Sequence, residues 1–168
     1  MEIVNKRQWK INKILHYLLR ERFRKKIEFN FPENIDRWNL INEIILVKNF
    51  SSYLEIGCDN DDAFSKIKLK DKIGVDPHSG GNFRGTSDLF FHQNKKKFDC
   101  IFIDGLHEYD QVNKDILNSL DSLNENGIIL LHDCLPKSMN QQAVPRFQWV
   151  WNGDVWKSIV KFRCRNDL

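Results

Sequence analysis

The residues best suited to chemistry fall in four short stretches. YLEIGCDNDDAF, at 53–64, holds Glu55, Gly57 and Asp59. GVDP, at 74–77, holds Asp76, nineteen residues after Gly57. FIDGLHEY, at 102–109, holds Asp104 and, three residues later, His107. LLHDC, at 130–134, holds His132 and Asp133. A glycine that closes an apolar run lets the backbone turn sharply and come close to a ligand. A carboxylate about twenty residues further on is placed to accept hydrogen bonds from the two adjacent hydroxyls of a ribose. The pair suits an adenosine-containing cofactor.

Charge narrows the choice. The turn after Gly57 carries Asp59, Asp61 and Asp62. NAD and FAD lay a pyrophosphate over such a turn, and three carboxylates would repel it. S-adenosylmethionine (SAM) carries a sulfonium and an ammonium instead, and an acidic turn favours both. There is no G-x-x-x-x-G-K-[ST] run, which argues against a nucleoside triphosphatase. No D-P-P-Y or N-P-P-Y run follows Asp104, which argues against base methylation of nucleic acid.

Short apolar strands must position these residues. Strands are expected at 53–57, 72–76, 99–104 and 127–132, with a short one near Phe83 in the Gly-rich loop 77–86. Helices are expected at 34–49 and 62–68, from a Ser87 cap to Asn94, at 109–123 with Asn126-Gly127 as the stop, and from Asp154 to the end. Ile35, Trp38, Ile41, Ile45 and Leu46 form the expected inner side of the 34–49 helix. Strands with little polar alternation are buried on both faces. Alternated with helices, they make an α/β protein with a Rossmann-like, doubly wound parallel sheet of five strands in order 3-2-1-4-5. Ligands on such sheets bind beyond the carboxyl ends of the strands, where all four stretches fall.

A basic amphipathic helix is expected at 6–26, ahead of a break at Pro32. Trp9, Ile14, Leu15, Leu18 and Phe23 recur near helical spacing with Lys and Arg between them. It reads as a cover helix with its other face solvated; the alternative is a role on a membrane surface or an anionic partner. Residues 1–30 form an N-terminal extension and 31–168 the SAM-binding domain. After Asp154 no apolar run remains for further strands, so the 127–132 strand is expected to be a bare edge. The N-terminal helix or another subunit in a homo-oligomer would cover it.

The composition is that of a globular protein: 41% hydrophobic and 29% charged over 168 residues. The net charge of +3 is uneven. Residues 1–30 hold nine Lys/Arg against three Asp/Glu, giving +6, and the remainder 17 against 20, giving −3. A nucleic-acid reader would spread its basic residues over a working face. Cys58, Cys100, Cys134 and Cys164 form no C-x-x-C pair and read as reduced thiols. With no secretory segment and no apolar run of about 18 residues, the expected location is the cytoplasm.

YLEIG, GVDP, FDCIFIDGLHEYDQV and GIILLHDC, in this order and spacing, resemble class I SAM-dependent methyltransferases, in particular small bacterial enzymes found near polysaccharide and natural-product genes. The resemblance covers about residues 35–160. It implies that Glu55 and Gly57 line the methionine side of the pocket, that Asp76 holds the ribose and that Ser87 and Asp88 lie near the adenine, with Asp59 also among the cofactor-binding residues. It places Asp104 beside the methionine moiety and the acceptor. Further glycines are usual where this chain has Asp59 and Asp61, residues that tolerate left-handed backbone. Two more strands are also usual after the last helix, so the chain reads either as an enzyme or as a shortened, non-catalytic interaction domain.

Two mechanisms fit. In one, His107 is the general base toward an acceptor hydroxyl. In the other, Asp104, His132 and Asp133 bind a divalent cation, Mg²⁺ or a transition metal, that acidifies the acceptor. The expected activity is O-methylation of a small molecule or glycan; an NAD-linked oxidoreductase is disfavoured by the acidic turn. Arg146, Trp149, Trp151 and Trp156 read equally as an acceptor wall or as hydrophobic closure.

Overall fold

Five of the apolar runs pair into one parallel sheet. The computed structural model describes residues 5–19, 28, 30 and 35–165. The strands are β1 (Ser52–Ile56), β2 (Asp71–Asp76), β3 (Phe83–Arg84), β4 (Phe98–Ile103) and β5 (Leu123–Leu131). Their order is β3-β2-β1-β4-β5, as expected, and every pairing is parallel. Ser52 lies opposite Asp71, Tyr53 opposite Cys100 and Cys100 opposite Ile128. All carboxyl ends therefore reach one edge, and every residue of β1 is buried.

The helices are α1 (Lys6–Leu18), α2 (Arg37–Lys48), α3 (Ser87–Gln93), α4 (Tyr109–Asp121) and α5 (Trp156–Phe162). The chain divides into two compact units. The first takes in the described residues of 32–106 and 113–132, and so holds the whole sheet with α2 and α3. The second takes in those of 2–31, 107–112 and 133–168, and holds α1 and α5.

In the first unit, Ile41 and Ile45 of α2 pack with Tyr53, Cys100 and Phe102, and with Phe64 and Ile67 of the β1–β2 connection. Each fully buried aliphatic side chain contributes about 2 kcal/mol. Ile35 and Leu46, expected inside, are exposed. Leu46 follows Ile45 by 100° around the helix, which takes it off the inward stripe.

Four expectations are corrected. The helix expected at 62–68 is a single 3₁₀ turn at Phe64–Lys66, because Asn60, Asp61 and Asp62 favour turns over helix interior. Thr86, not Ser87, caps α3: its hydroxyl accepts from the Leu89 amide at 3.2 Å and Ser87 is the first helical residue. Asn126-Gly127 does not stop α4, which has ended at Asp121. It forms a bulge inside β5, where Asn126 has φ 62°. Between the Phe98–Leu123 and Cys100–Ile128 pairs β5 advances five residues and β4 two, a surplus of three. The Asn124 amide donates to Asp99 at 2.7 Å and holds the bulge down.

The fourth correction concerns α1. Its inward residues are polar, Asn12 and His16, while Ile14, Leu15 and Leu18 are exposed. Asn12 Nδ2 donates to the Arg146 carbonyl at 2.7 Å and His16 Nε2 lies 3.3 Å from the Pro145 carbonyl. Phe23 and Pro32 lie outside the described residues.

Candidate functional site

The carboxyl edge of the sheet is assembled by the turn after β1. Gly57 has φ 87°, and its amide donates to the Val75 carbonyl at 2.8 Å. A Cβ there would overlap the Asp104 carbonyl and come within 2.6 Å of Gly105 Cα. The close approach that requires glycine is to the backbone leaving β4. Asp59 (φ 44°) and Asp61 (φ 63°) occupy the left-handed region, which aspartate tolerates better than most non-glycine residues.

Asp76 ends β2 and is buried. Its Oδ2 accepts from the Cys58 and Asp59 amides at 3.2 and 3.0 Å, and its Oδ1 from the His78 and Ser79 amides at 2.8 and 2.9 Å. Burial pushes the carboxyl up, but the four amides outweigh it and hold the group below the usual carboxylate range. An ionised carboxylate has about four acceptor sites, so this one is saturated by backbone. Asp61 is used similarly: its Oδ1 accepts from the Gly81 amide at 2.6 Å. Arg84 donates to the Asp76 and Gly80 carbonyls, both at 2.9 Å, and closes the same loop. Sequence reading placed these acids at the turn but missed that the loop after β2 folds back onto them; Gly80-Gly81, both with positive φ, were the available signal.

Glu55 lies on the face of β1 that α2 covers and is 2% exposed. It accepts a 2.6 Å hydrogen bond from the Tyr53 hydroxyl. Burial pushes its carboxyl up to about 7; Asp104 adds to the rise, while Tyr53 and Arg37 oppose it. Burial drives the Tyr53 hydroxyl far upward, so Tyr53 remains a donor.

At the ends of β4 and β5, side chains meet side chains. The Asp104 amide bonds the Ile56 carbonyl at 2.8 Å and the His132 amide the Ile103 carbonyl at 3.0 Å, which fixes both residues beside the sheet. Asp104 Oδ1 is then 3.0 Å from His132 Nδ1, and Asp104 Oδ2 is 3.9 Å from Arg37 Nε. Arg37 Nε is buried and makes no hydrogen bond. The sequence did not single out Arg37; it opens α2 and its role depends on how that helix docks on β1. Ser87 and Asp88 open α3, where Asp88 forms an exposed ion pair with Lys114 at 3.6 Å. A cavity of about 200 Å³, lined by residues such as Lys95, Lys97 and Asp121, belongs to the opposite edge, since Lys95–Lys97 precede β4.

In the second unit, His107 stacks on Trp151 (centroids 5.4 Å, planes 28° apart) and its Nδ1 lies 3.2 Å from both Asp133 Oδ2 and the Trp151 carbonyl. Asn152 Nδ2 donates to Asp133 Oδ1 at 2.7 Å. A Cβ on Gly153 (φ 58°) would overlap the His107 carbonyl, so only glycine lets the chain pass there. Arg146 lies between the rings of Trp9 and Trp151, at 5.4 and 5.3 Å, and donates to the Gln148 and Trp149 carbonyls at 3.0 and 2.8 Å. In this unit the arginine and tryptophans close the loop onto α1. Of the three residues proposed as metal ligands, Asp104 and His132 meet in the first unit, while Asp133 belongs to the second and pairs with His107.

Residues 55–134 match a family model described as a methyltransferase domain. No curated protein matches the chain. The match falls on a five-stranded, Rossmann-like parallel sheet, and a methyltransferase domain agrees with the sequence resemblance at that level.

Proposed function

We propose that this chain, which carries a methyltransferase domain over residues 55–134, binds SAM at the carboxyl edge of its sheet and methylates an oxygen of a small molecule or glycan. The observation that carries the reading is the charge arrangement at that edge. Asp104 lies 3.9 Å from Arg37 Nε, which is buried without a hydrogen bond, and the two offer opposite charges for the ammonium and carboxylate of an amino-acid moiety. The Gly57–Asp59 backbone, held by Asp76, supplies the floor on which a nucleoside would lie. Asp76 acts by building that floor, since its own acceptors are occupied. Ser87 and Asp88, opening the helix after β3, are assigned to the adenine side.

When bound, SAM supplies an electrophilic methyl group, so the chain's residues need only bind, orient and remove a proton. His107 is assigned as the base. Asp133, itself fixed by Asn152, lies 3.2 Å from Nδ1 and favours the tautomer with the proton there, in which Nε2 is the ring nitrogen able to take a proton from the acceptor hydroxyl. His132 is the weaker candidate, because its partner Asp104 is shared with the cation Arg37. The same arginine argues against a divalent cation at Asp104 and His132, where two ligand atoms would compete with a fixed positive charge. No step is assigned to a metal.

One observation favours a second reading, a non-catalytic Rossmann-like interaction domain: the saturation of Asp76 by its own backbone. Parallel calorimetric titrations with S-adenosylhomocysteine and NADH separate the readings. Stoichiometric heat with the first alone is expected, and its loss in Arg37→Gln would place the amino-acid end. Absence of heat with both at millimolar ligand selects the interaction domain, and heat with NADH alone selects an oxidoreductase.

A further inference from the structure

The helix α1 is inverted relative to an ordinary cover helix. Asn12 and His16 are its buried residues, and both meet carbonyls of the 145–146 segment in the same unit. Its aliphatic residues point away. Ile11, Ile14, Leu15 and Leu18 recur at intervals of three and four, so they form one stripe along the helix. All four are exposed, Ile14 at 58% and Leu18 at 67%. Burying that stripe in the fold would cost the bonds that Asn12 and His16 now make.

The charge along α1 is one-sided. Lys6–Leu18 contains Lys6, Arg7, Lys10 and Lys13 and no Asp or Glu. At 100° per residue, Lys6, Lys10 and Lys13 fall together on the flank between the apolar stripe and the inward face, while Arg7 stands at the N-terminal end of the stripe itself. A second copy pairing stripe to stripe would bring eight cations together with no acid on either helix to offset them. Single-stranded nucleic acid is held by aromatic stacking, and this stripe is aliphatic. An anionic bilayer meets both features, since acyl chains take the stripe and headgroups take the lysines. Thirteen residues at about 1.5 Å each reach roughly 20 Å, short of the roughly 30 Å hydrocarbon core, so such a helix lies in the interface and does not cross it.

We propose that α1 is an interfacial anchor that seats the protein on an anionic lipid surface, with Ile11, Ile14, Leu15 and Leu18 in the acyl boundary and Lys6, Lys10 and Lys13 at the headgroups. This holds or fails independently of the methyltransferase reading. The test is co-sedimentation of the full chain with vesicles of phosphatidylcholine alone or with 30 mol% phosphatidylglycerol (a chosen composition, about one anionic lipid in three). Binding is expected to the anionic vesicles and to weaken as salt rises. Ile14→Glu with Leu18→Glu, both at exposed positions, should lower it at least about tenfold with unchanged circular dichroism. Lys10→Gln with Lys13→Gln should lower it roughly thirtyfold at low salt. Three outcomes overturn the proposal: equal sedimentation of the Ile14/Leu18 variant, a dimer in sedimentation equilibrium that the same variant dissolves, or a poly(U) complex that it leaves intact in the absence of vesicle binding.

Discussion

The two halves of the sheet's carboxyl edge use carboxylates differently. At β1–β2, Asp61 and Asp76 accept from five backbone amides and hold two loops together. At β4–β5, Asp104 faces His132 and Arg37, groups that carry or exchange protons. A carboxylate saturated by backbone is architecture: its removal strands buried donors. A carboxylate facing titratable side chains can answer a ligand, because those partners can reorient at modest cost. The difference predicts stability defects from the first half and binding defects from the second.

Four substitutions probe that contrast, the largest effect first. Asp76→Ala leaves the amides of Cys58, Asp59, His78 and Ser79 without their acceptor. At about 1–3 kcal/mol for each amide that water does not reach, a loss of roughly 3 kcal/mol or more is expected in denaturant titration. A loss below about 1 kcal/mol, with weakened cofactor binding, would return Asp76 to direct ribose recognition. The same carboxyl is depressed in the fold. Its stabilisation is therefore complete above the unfolded value of about 4 and is lost as pH falls through the lower folded value.

Gly57→Ala comes next. The Cβ meets the Asp104 carbonyl and Gly105 on a backbone at φ 87°, so roughly 2–4 kcal/mol should be lost, read as a lower midpoint in urea. Glu55→Gln should act in the opposite direction. The Glu55 carboxyl is raised to about 7 in the fold. Between about 4.5 and 7 the folded state keeps a proton that the unfolded state has released, so stability falls as pH rises through that window. The glutamine variant should flatten the slope and gain up to about 3 kcal/mol at pH 8, on the scale of 1.4 kcal/mol per pH unit. An unchanged slope between pH 5 and 8 would mean Glu55 is already ionised. The smallest effect is expected at Asp88→Asn. The Lys114 pair is exposed, so stability should move by less than about 0.5 kcal/mol in the same titration. Weaker binding of S-adenosylhomocysteine in that variant would confirm Asp88 near the adenine.

A fifth substitution belongs to the second unit. Asp133→Asn keeps the shape but takes the negative charge from His107. Once an acceptor is in hand, the turnover number should fall by roughly 10²–10⁴ while the Michaelis constant changes little. A turnover number within about twofold of the parent would remove His107 from the role of base.

The strand order was legible because apolar runs of five or six residues, broken by Gly and Asp, leave few ways to pair. The places of Gly57, Asp76 and Asp104 in the fold were legible for the same reason, since each sits where such a run ends, and Glu55 lies one residue short of the end of β1. What each contacts was not. The saturation of Asp76 depends on where the 77–82 loop returns, and loops carry no periodicity to read. Arg37 reaches Asp104 only because Ile41 and Ile45 dock α2 on β1, a tertiary fact. The inversion of α1 was hidden because helical spacing marks a stripe without saying which side faces the fold; the bonds from Asn12 and His16 decide that.

Hydrogen–deuterium exchange with and without S-adenosylhomocysteine tests the central assignment most directly, because it reports where the ligand sits. Slower exchange is expected in peptides covering residues 57–59 and 104–106, with little change in those covering 95–97 at the opposite edge. Unchanged exchange at millimolar ligand, or protection confined to the opposite edge, would contradict a SAM site at the carboxyl ends of β1 and β4.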